Sequence, residues 1–212
     1  MEDYQQSSIC LDIDHSMTIQ KISYFCTNNG IMQIVRDITT IVAPTATVVT
    51  LAEAKNYLRV DYSEDDTLIT SLINTAQTRL EQYAGVAMTP RTLKVVAYVD
   101  SFIELPYVPT NTISVVEYWD STNWVVIPVG GYQVLGDTTK KVYMTSIYNN
   151  EFRFTYTCGY ATTPETMKTA LLKMVSDLYE YRESSVEATK PSANLMTAYE
   201  LMKPFKRINV II

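Results

Sequence analysis

The chain has 212 residues, of which 47% are hydrophobic, and its formal net charge is −6 at neutral pH. This length and apolar content predict one domain, or one domain with an appendage, large enough to bury a core of its own. The acidic balance argues against a protein that binds nucleic acid through its phosphates. No apolar run approaches the roughly 20 residues that a membrane-spanning helix needs.

The N-terminal part differs in pattern from the rest of the chain. Residues 1–31 show no sustained hydrophobic period and predict an irregular extension. Residues 32–49 are rich in β-branched side chains and are interrupted by Pro44, which predicts an extended arm. The first ten residues, MEDYQQSSIC, are acidic and polar, unlike a secretory signal, so a cytosolic location is expected.

Two helices are predicted next. Thr50 and Glu53 have the spacing of a capping box and predict a short helix over Leu51–Leu58. Ser63 is predicted to cap a longer helix, and Gly85 is placed to end it. One apolar face of this longer helix is formed by Ile69, Leu72, Ile73, Ala76, Leu80 and Tyr83.

The middle of the chain changes to a β pattern. Short β-rich runs follow one another over residues 91–156, with Pro106 and Pro109 breaking the chain after the run FIEL. The tetrapeptide DSTN at 120–123 predicts a hairpin loop between two aromatic runs. Gly130 and Gly131 predict a turn.

Helices return after the β block. Thr163 is predicted to cap a helix with Pro164 at its first position. A last short helix is predicted around Leu195, Tyr199 and Met202, and Pro204 is expected to end it. The apolar side of the first of these helices is Met167, Ala170, Leu171, Met174, Val175, Leu178 and Tyr181. The predicted fold class is α+β, with an N-terminal helix pair, a central, mostly antiparallel β block and C-terminal helices.

Cys158 is the one candidate nucleophile, because it lies between a strand pattern and a helix start and precedes Gly159. A cysteine nucleophile needs a base, and the only histidine, His15, lies in the extension. The favoured interpretation is a small, half-buried residue on a turn. Three cysteines without metal spacing or a secretory signal also argue against a disulfide framework.

Two further segments have features of binding sites. The acidic run at 61–66 starts like a calcium loop, but Asp66 and Leu72 occupy positions that require Gly and Glu, so it predicts an acid-rich helix start. Trp119 and Trp124 could stack nucleic-acid bases, but few cations lie nearby and cross-strand packing is favoured. The sequence therefore predicts no catalytic residue, cofactor or metal.

The stretch from Thr50 to Gly85 resembles the opening of the phage head–tail connector (adaptor) family. Its pattern is matched by Leu51, Glu53, Lys55, Leu58, Arg59, Val60 and Asp61, then by Tyr83 and Gly85. Further matches are the apolar-Pro corner Leu105-Pro106, the run SVVEYWDSTNW, and the C-terminal segment YTCGYATTPETMK, which leads to Arg182 and Glu183. The resemblance covers about residues 50–205, and it places Cys158 where the family has a small residue.

This resemblance implies a structural virion protein and not an enzyme. Such proteins form a ring, commonly of twelve copies, below the portal of a tailed-phage capsid. The ring extends the DNA channel and presents a surface to a stopper or tail-completion protein. The implied partners are therefore other copies of the chain, the portal and that next neck protein, with no membrane. DNA would pass without specific binding, and the location would be the virion neck, after assembly in the host cytoplasm.

The C-terminal tail is predicted as a partner-binding segment. Three regions are expected: the 1–49 extension, a 50–205 connector domain and a 206–212 tail. The tail is locally basic and ends in β-forming residues, which would suit addition to a sheet edge of the portal. The predicted portal-binding residues are Lys206, Arg207, Ile208, Val210, Ile211 and Ile212. The alternative is that the tail folds back onto its own sheet.

Three other functions remain open at this point. The chain could be an enzyme of unrecognised type that uses Cys158 or the acidic cluster, which a thiol of low pKa or a retained metal would favour. It could be a different structural protein of the virion, such as a tail-completion protein. A nucleic-acid binder is the third, and the net charge argues against it.

Overall fold

The structure is a computed structural model that describes residues 23–26, 32–44, 46–145, 151–181 and 193–207. The helices are α1 (Leu51–Leu58), α2 (Asp66–Ala84), α3 (Glu165–Glu180) and α4 (Ala193–Met202), and a 3-10 turn follows at Lys203–Phe205. The strands are β1 (Ser23–Cys26), β2 (Met32–Val42), β3 (Arg91–Val99), β4 (Phe102–Glu104), β5 (Thr110–Trp119), β6 (Trp124–Val126), β7 (Tyr132–Leu135), β8 (Lys141–Met144) and β9 (Glu151–Cys158).

The strands form two sheets. The larger has six strands in the order β1-β2-β3-β9-β5-β6, and the smaller has the order β4-β8-β7. Neighbouring strands in both sheets run antiparallel. The predicted α+β class, with helices on either side of an antiparallel block in the sequence, is therefore confirmed.

The ends of the N-terminal helices follow local sequence signals. The Thr50 N–H donates to Glu53 Oε2 at 2.7 Å, and the Glu53 N–H donates to Thr50 Oγ1 at 3.2 Å, which is the predicted capping box. Helix α2 ends at Gly85, which has φ of 69° and donates its N–H to the Glu81 carbonyl at 2.8 Å. Both predictions are confirmed.

The other two predicted caps are wrong. Helix α2 is preceded by Asp65 rather than Ser63, and the Asp65 side chain caps no backbone group of the helix. Helix α3 begins at Glu165 after Pro164, while Thr163 Oγ1 donates to the Met88 carbonyl at 2.8 Å. Thr163 therefore ties the start of α3 to the segment before β3, because its hydroxyl donates to a distant carbonyl and does not accept from an N–H at the helix start.

Two groups of buried side chains form the core. A helical core lies among α1 to α4 and contains Val48, Val49, Ile69, Leu80, Met167, Leu171 and Met174. A sheet core contains Val35, Leu93, Val95, Leu105, Val116, Phe152, Phe154 and Tyr156. Burying each large apolar side chain contributes about 1.5–3 kcal/mol relative to exposure. The helical core uses two residues that precede Thr50, so its packing begins inside the predicted 1–49 extension.

The predicted extension also contributes strands to the larger sheet. Strand β2 pairs with β3 over most of its length, and β1 pairs with the start of β2. Val35 is 4% exposed and belongs to the sheet core. The boundaries of the three predicted regions stay a prediction.

The predicted hairpin loop connects β5 and β6. Asp120 Oδ1 accepts the backbone N–H groups of Thr122 at 2.8 Å and Asn123 at 2.6 Å. The Trp119 and Trp124 rings pair across the two strands, with centroids 5.3 Å apart. The cross-strand packing predicted for these two residues is confirmed.

Candidate partner interface

The start of the C-terminal tail is fixed to the body of the protein. The Arg207 backbone N–H donates to the Ala84 carbonyl at 3.0 Å, at the end of α2. Its side chain donates through Nη1 to the Leu105 carbonyl at 3.2 Å, and its Nη2 lies 2.5 Å from Glu104 Oε2. Arg207 therefore bonds to both the helical layer and the region of β4.

Glu104 is shared by two cations. Lys141 Nζ lies 2.8 Å from Glu104 Oε1, while Arg207 occupies the other oxygen. Burial alone would raise the pKa of Glu104, but the hydrogen bonds and charges of Lys141 and Arg207 together lower it. The carboxylate is therefore ionised at neutral pH, as an anchor for Arg207 requires.

Lys206 takes a different position from its neighbour. Its Nζ lies 4.7 Å from the centroid of the Tyr83 ring, and Tyr83 in turn contacts the Tyr199 ring at 4.5 Å. Lys206 is exposed, so this cation–π contact contributes about 0.5–1 kcal/mol. Its charge stays accessible to a partner.

The structure shows contacts within the chain for one of the six predicted portal-binding residues, and the portal-binding role of all six stays a prediction. The Arg207 side chain is 13% exposed and paired with Glu104 of the same chain, so its charge is directed inward. Lys206 is exposed, and its role in portal binding stays a prediction. Ile208, Val210, Ile211 and Ile212 lie outside the described residues.

Cys158 is fully buried at the end of β9, and not half-buried on a turn as the sequence suggested. Burial raises the pKa of its thiol to about 12. A thiol with this pKa is almost wholly protonated at neutral pH, and the thiolate is the reactive form. The position favours a packing role over nucleophilic chemistry.

The Cys158→Ala variant is expected to fold and to bind its partners as the natural protein does. Loss of one buried sulfur costs about 1 kcal/mol of unfolding free energy, because it leaves a small cavity in the sheet core. Thermal unfolding and a partner-binding assay measure the two effects. A normally folded variant that fails to bind would contradict the prediction.

The acidic segment is used for contacts within the chain. Asp65 Oδ2 accepts hydrogen bonds from Tyr179 Oη at 2.5 Å and Tyr62 Oη at 3.3 Å. Asp66 Oδ1 accepts from Lys55 Nζ at 2.6 Å. These bonds join the α1–α2 corner to α3. Within the described ranges, no three His, Cys, Asp or Glu side chains are placed to share a metal ion.

Glu81 is a buried charged residue that the predictions from sequence do not include. Glu81 lies in the last turn of α2, and its Oε1 accepts from Arg91 Nη2 at 2.5 Å and from the Met88 N–H at 2.8 Å. The side chains of Glu81 and Arg91 are 7% and 14% exposed. An acid near the negative end of a helix dipole is unfavourable without a cation, which was the signal available in the sequence.

The described helices include none with the length and apolar character needed to cross a membrane.

The overall fold is shared with proteins of a phage-like particle. Three solved structures contain a chain with this fold. The TM-score is 0.67 for the neck of the empty gene transfer agent particle computed with C6 symmetry and 0.67 for the virion of the native particle. It is 0.64 for the neck of the native particle computed with C12 symmetry. Each is 16% identical, and each match covers 82% of this chain and 96% of the other. This chain therefore has the fold of a component of that particle.

A family model is matched as well. Residues 48–117 match the family described as phage gp6-like head-tail connector protein. This match confirms the resemblance to phage head–tail connectors, and it spans the helix pair and strands β3 to β5. A search of curated protein sequences found no significant match. Together, the family match and the shared fold support a structural protein of the neck.

Proposed function

We propose that this chain is a head–tail connector subunit that forms a ring below the portal of a tailed-phage or phage-like particle. The observation that carries the proposal is the family match over residues 48–117. Its role is structural and not catalytic, which fits the buried, protonated thiol of Cys158. The protein would be made in the host cytoplasm and end in the virion neck.

A ring of this kind needs a head-to-tail interface, in which each copy offers two different surfaces. The necks of gene transfer agent particles computed with C6 and C12 symmetry support such an arrangement, with twelve copies in the ring. The net charge of −6 per chain would give an acidic channel that repels the DNA backbone. DNA would then pass through the channel without binding.

The portal would bind the C-terminal tail. Residues 208–212 have the sequence INVII, which favours an extended strand over a helix. They follow Arg207, whose three contacts hold the start of the tail on the body. A fixed start lowers the entropy lost when the tail pairs with a sheet edge of the portal. The opposite side of the ring would bind a stopper or tail-completion protein.

Removal of residues 208–212 is expected to abolish portal binding and to leave thermal unfolding nearly unchanged. The reason is that this deletion keeps Arg207 and its contacts with Glu104 and Leu105. Binding is measured by sedimentation with purified portal, and the neck complex by electron microscopy. A full-length variant with Gly and Ser at 208–212 separates loss of sequence from loss of length.

Two results would contradict this assignment. If the deletion and the Gly/Ser variant both bind the portal as well as the natural protein does, the tail is not part of the portal interface. The ring proposal would still stand. If the natural protein forms no ring on the portal in electron micrographs, the connector function itself fails. Binding to a tail tube instead would point to a tail-completion protein.

A further inference from the structure

Helix α2 carries exposed charges of opposite sign at its two ends. Asp61 and Glu64 are exposed just before its N-terminal end, and Arg79 is exposed near its C-terminal end. The helix has 19 residues and is therefore about 28 Å long. Between Glu64 and Arg79, the exposed residues are uncharged: Thr67, Thr70, Ser71, Asn74, Thr75 and Thr78. The acidic and basic surfaces are thus separated by most of the length of α2.

The N-terminal end has the composition of a protein interface. Asp61 and Glu64 form no ion pair with any other residue in the described ranges. Arg59 is an exposed cation of the same segment, but the two acids outnumber it. Tyr57 and Tyr62 are 43% and 51% exposed, and tyrosine is enriched where proteins bind one another. We call Asp61, Glu64 and these two tyrosines the acidic corner.

The C-terminal end is surrounded by cations. Arg79 precedes Tyr83 by four residues, so both lie on the same side of α2. Lys203 lies close enough to Tyr83 to interact with it electrostatically, and Lys206 contacts its ring. Lys203 pairs with Glu200 at 2.5 Å, but both side chains are more than half exposed, and such a pair contributes little. We call Arg79 and Lys203 the basic patch, which Lys206 adjoins.

We propose that the acidic corner of one copy binds the basic patch of the next copy in the ring. A head-to-tail contact joins two different surfaces, and closure of a ring requires them on different sides of each subunit. The two ends of α2 meet both conditions, because they differ in sign and lie about 28 Å apart. Complementary charges also select the partner and fix the register of the contact. This inference rests on the proposed ring and assigns its contact to particular residues.

Charge reversal at either surface is expected to weaken the ring. In the Asp61→Lys/Glu64→Lys variant, cations would meet cations at every contact, and in Arg79→Glu/Lys203→Glu, acids would meet acids. Each variant should need at least ten-fold more protein to form rings on purified portal, as counted by electron microscopy. Thermal unfolding should stay close to that of the natural protein, because all four side chains are exposed. Lys206 is left unchanged, since it is predicted to bind the portal.

Restoration of the ring is the sharper test. An equal mixture of the two reversed variants should form rings as readily as the natural protein, because alternating copies present opposite charges at each contact. The proposed twelve copies are an even number, so an alternating ring can close. A chain that carries all four reversals should also form rings by itself.

Four results would overturn the inference. Normal rings from each reversed variant alone would do so and would leave the ring proposal standing. Failure of both the mixture and the four-fold variant to restore rings would show that opposite charge is not the cause. Restoration to pairs of copies and not to rings would exclude a head-to-tail contact. Absence of rings from the natural protein would overturn the connector function as well.

Neutral variants serve if a reversal disturbs folding. Asp61→Asn/Glu64→Gln and Arg79→Gln/Lys203→Gln remove the attraction without adding repulsion, so each should weaken ring formation less than the matching reversal. Ring formation equal to that of the natural protein by both neutral variants would also contradict the proposed contact.

Discussion

The Gly159→Ala variant is expected to lose on the order of 4 kcal/mol of unfolding free energy, a loss that few single substitutions reach. Gly159 has φ of +112°, and a Cβ atom there would lie 2.2 Å from the Thr89 carbonyl oxygen. That oxygen belongs to the backbone, so relief of the clash requires β9 to move away from the residues before β3. Chemical denaturation of the purified variant measures the loss.

Gly130 provides the matched control. It has a similar backbone angle, with φ of +105°, but a Cβ atom there meets nothing within 4 Å. Gly130→Ala should therefore cost only the backbone strain, about 1–2 kcal/mol. If the two variants lose the same free energy, close packing at Gly159 is not the cause. A larger loss for Gly159→Ala than for Gly130→Ala would show that the strand-to-helix corner requires glycine at position 159. Cys158 would then contribute packing alone.

The Arg207→Met variant is expected to lose about 3 kcal/mol of unfolding free energy, because it removes one partner of a largely buried ion pair. It also removes the hydrogen bond to the Leu105 carbonyl. Lys206→Met changes the net charge equally and should cost no more than about 1 kcal/mol. Because the contacts of Arg207 stabilise the fold, a chain that ends before residue 206 should be less stable than one that ends after Arg207.

The pH dependence of this difference follows from Glu104. The pKa of Glu104 is lowered in the folded protein, so the ionised carboxylate contributes to the unfolding free energy. This contribution is present above the unfolded pKa of about 4.3 and is lost as the pH falls through the pKa of the folded state. Without Arg207, the folded pKa of Glu104 rises towards the ordinary value. The gap in stability between the natural protein and Arg207→Met should therefore narrow below about pH 4. A gap that is constant from pH 7 to 3 would assign the loss to packing alone.

Elements with a local cause could be predicted from the sequence. The capping box at Thr50, the Gly85 end of α2 and the hairpin at 120–123 each depend on residues only a few positions apart. The caps at Ser63 and Thr163 were predicted wrongly, because tertiary contacts selected other residues and partners. A short strand such as β1, with four residues, carries too little pattern to be recognised.

The candidate interface was harder to predict than the fold. The basic start of the tail was visible in the sequence, but its inward partner was not. Arg207 and Glu104 are separated by 103 positions, and their pairing requires that α4 and the turn after it be placed against α2. Local patterns carry no information about such a distance. The resemblance to a known family predicted the function, while only the structure showed that the Arg207 side chain is paired with Glu104 and that Lys206 is exposed.

The attachment of Arg207 has a mechanical consequence. A force applied to Arg207 would act on two cores at once, because this residue is bonded to Ala84 of the helical core and Leu105 of the sheet core. A load shared between two cores cannot peel α4 away one turn at a time. The hydrogen bonds and the ion pair of Arg207 must break before the force acts on α4. The force needed to detach Arg207 would therefore depend on Ala84, Leu105 and Glu104 together, with Lys141 holding the Glu104 carboxylate from its other side.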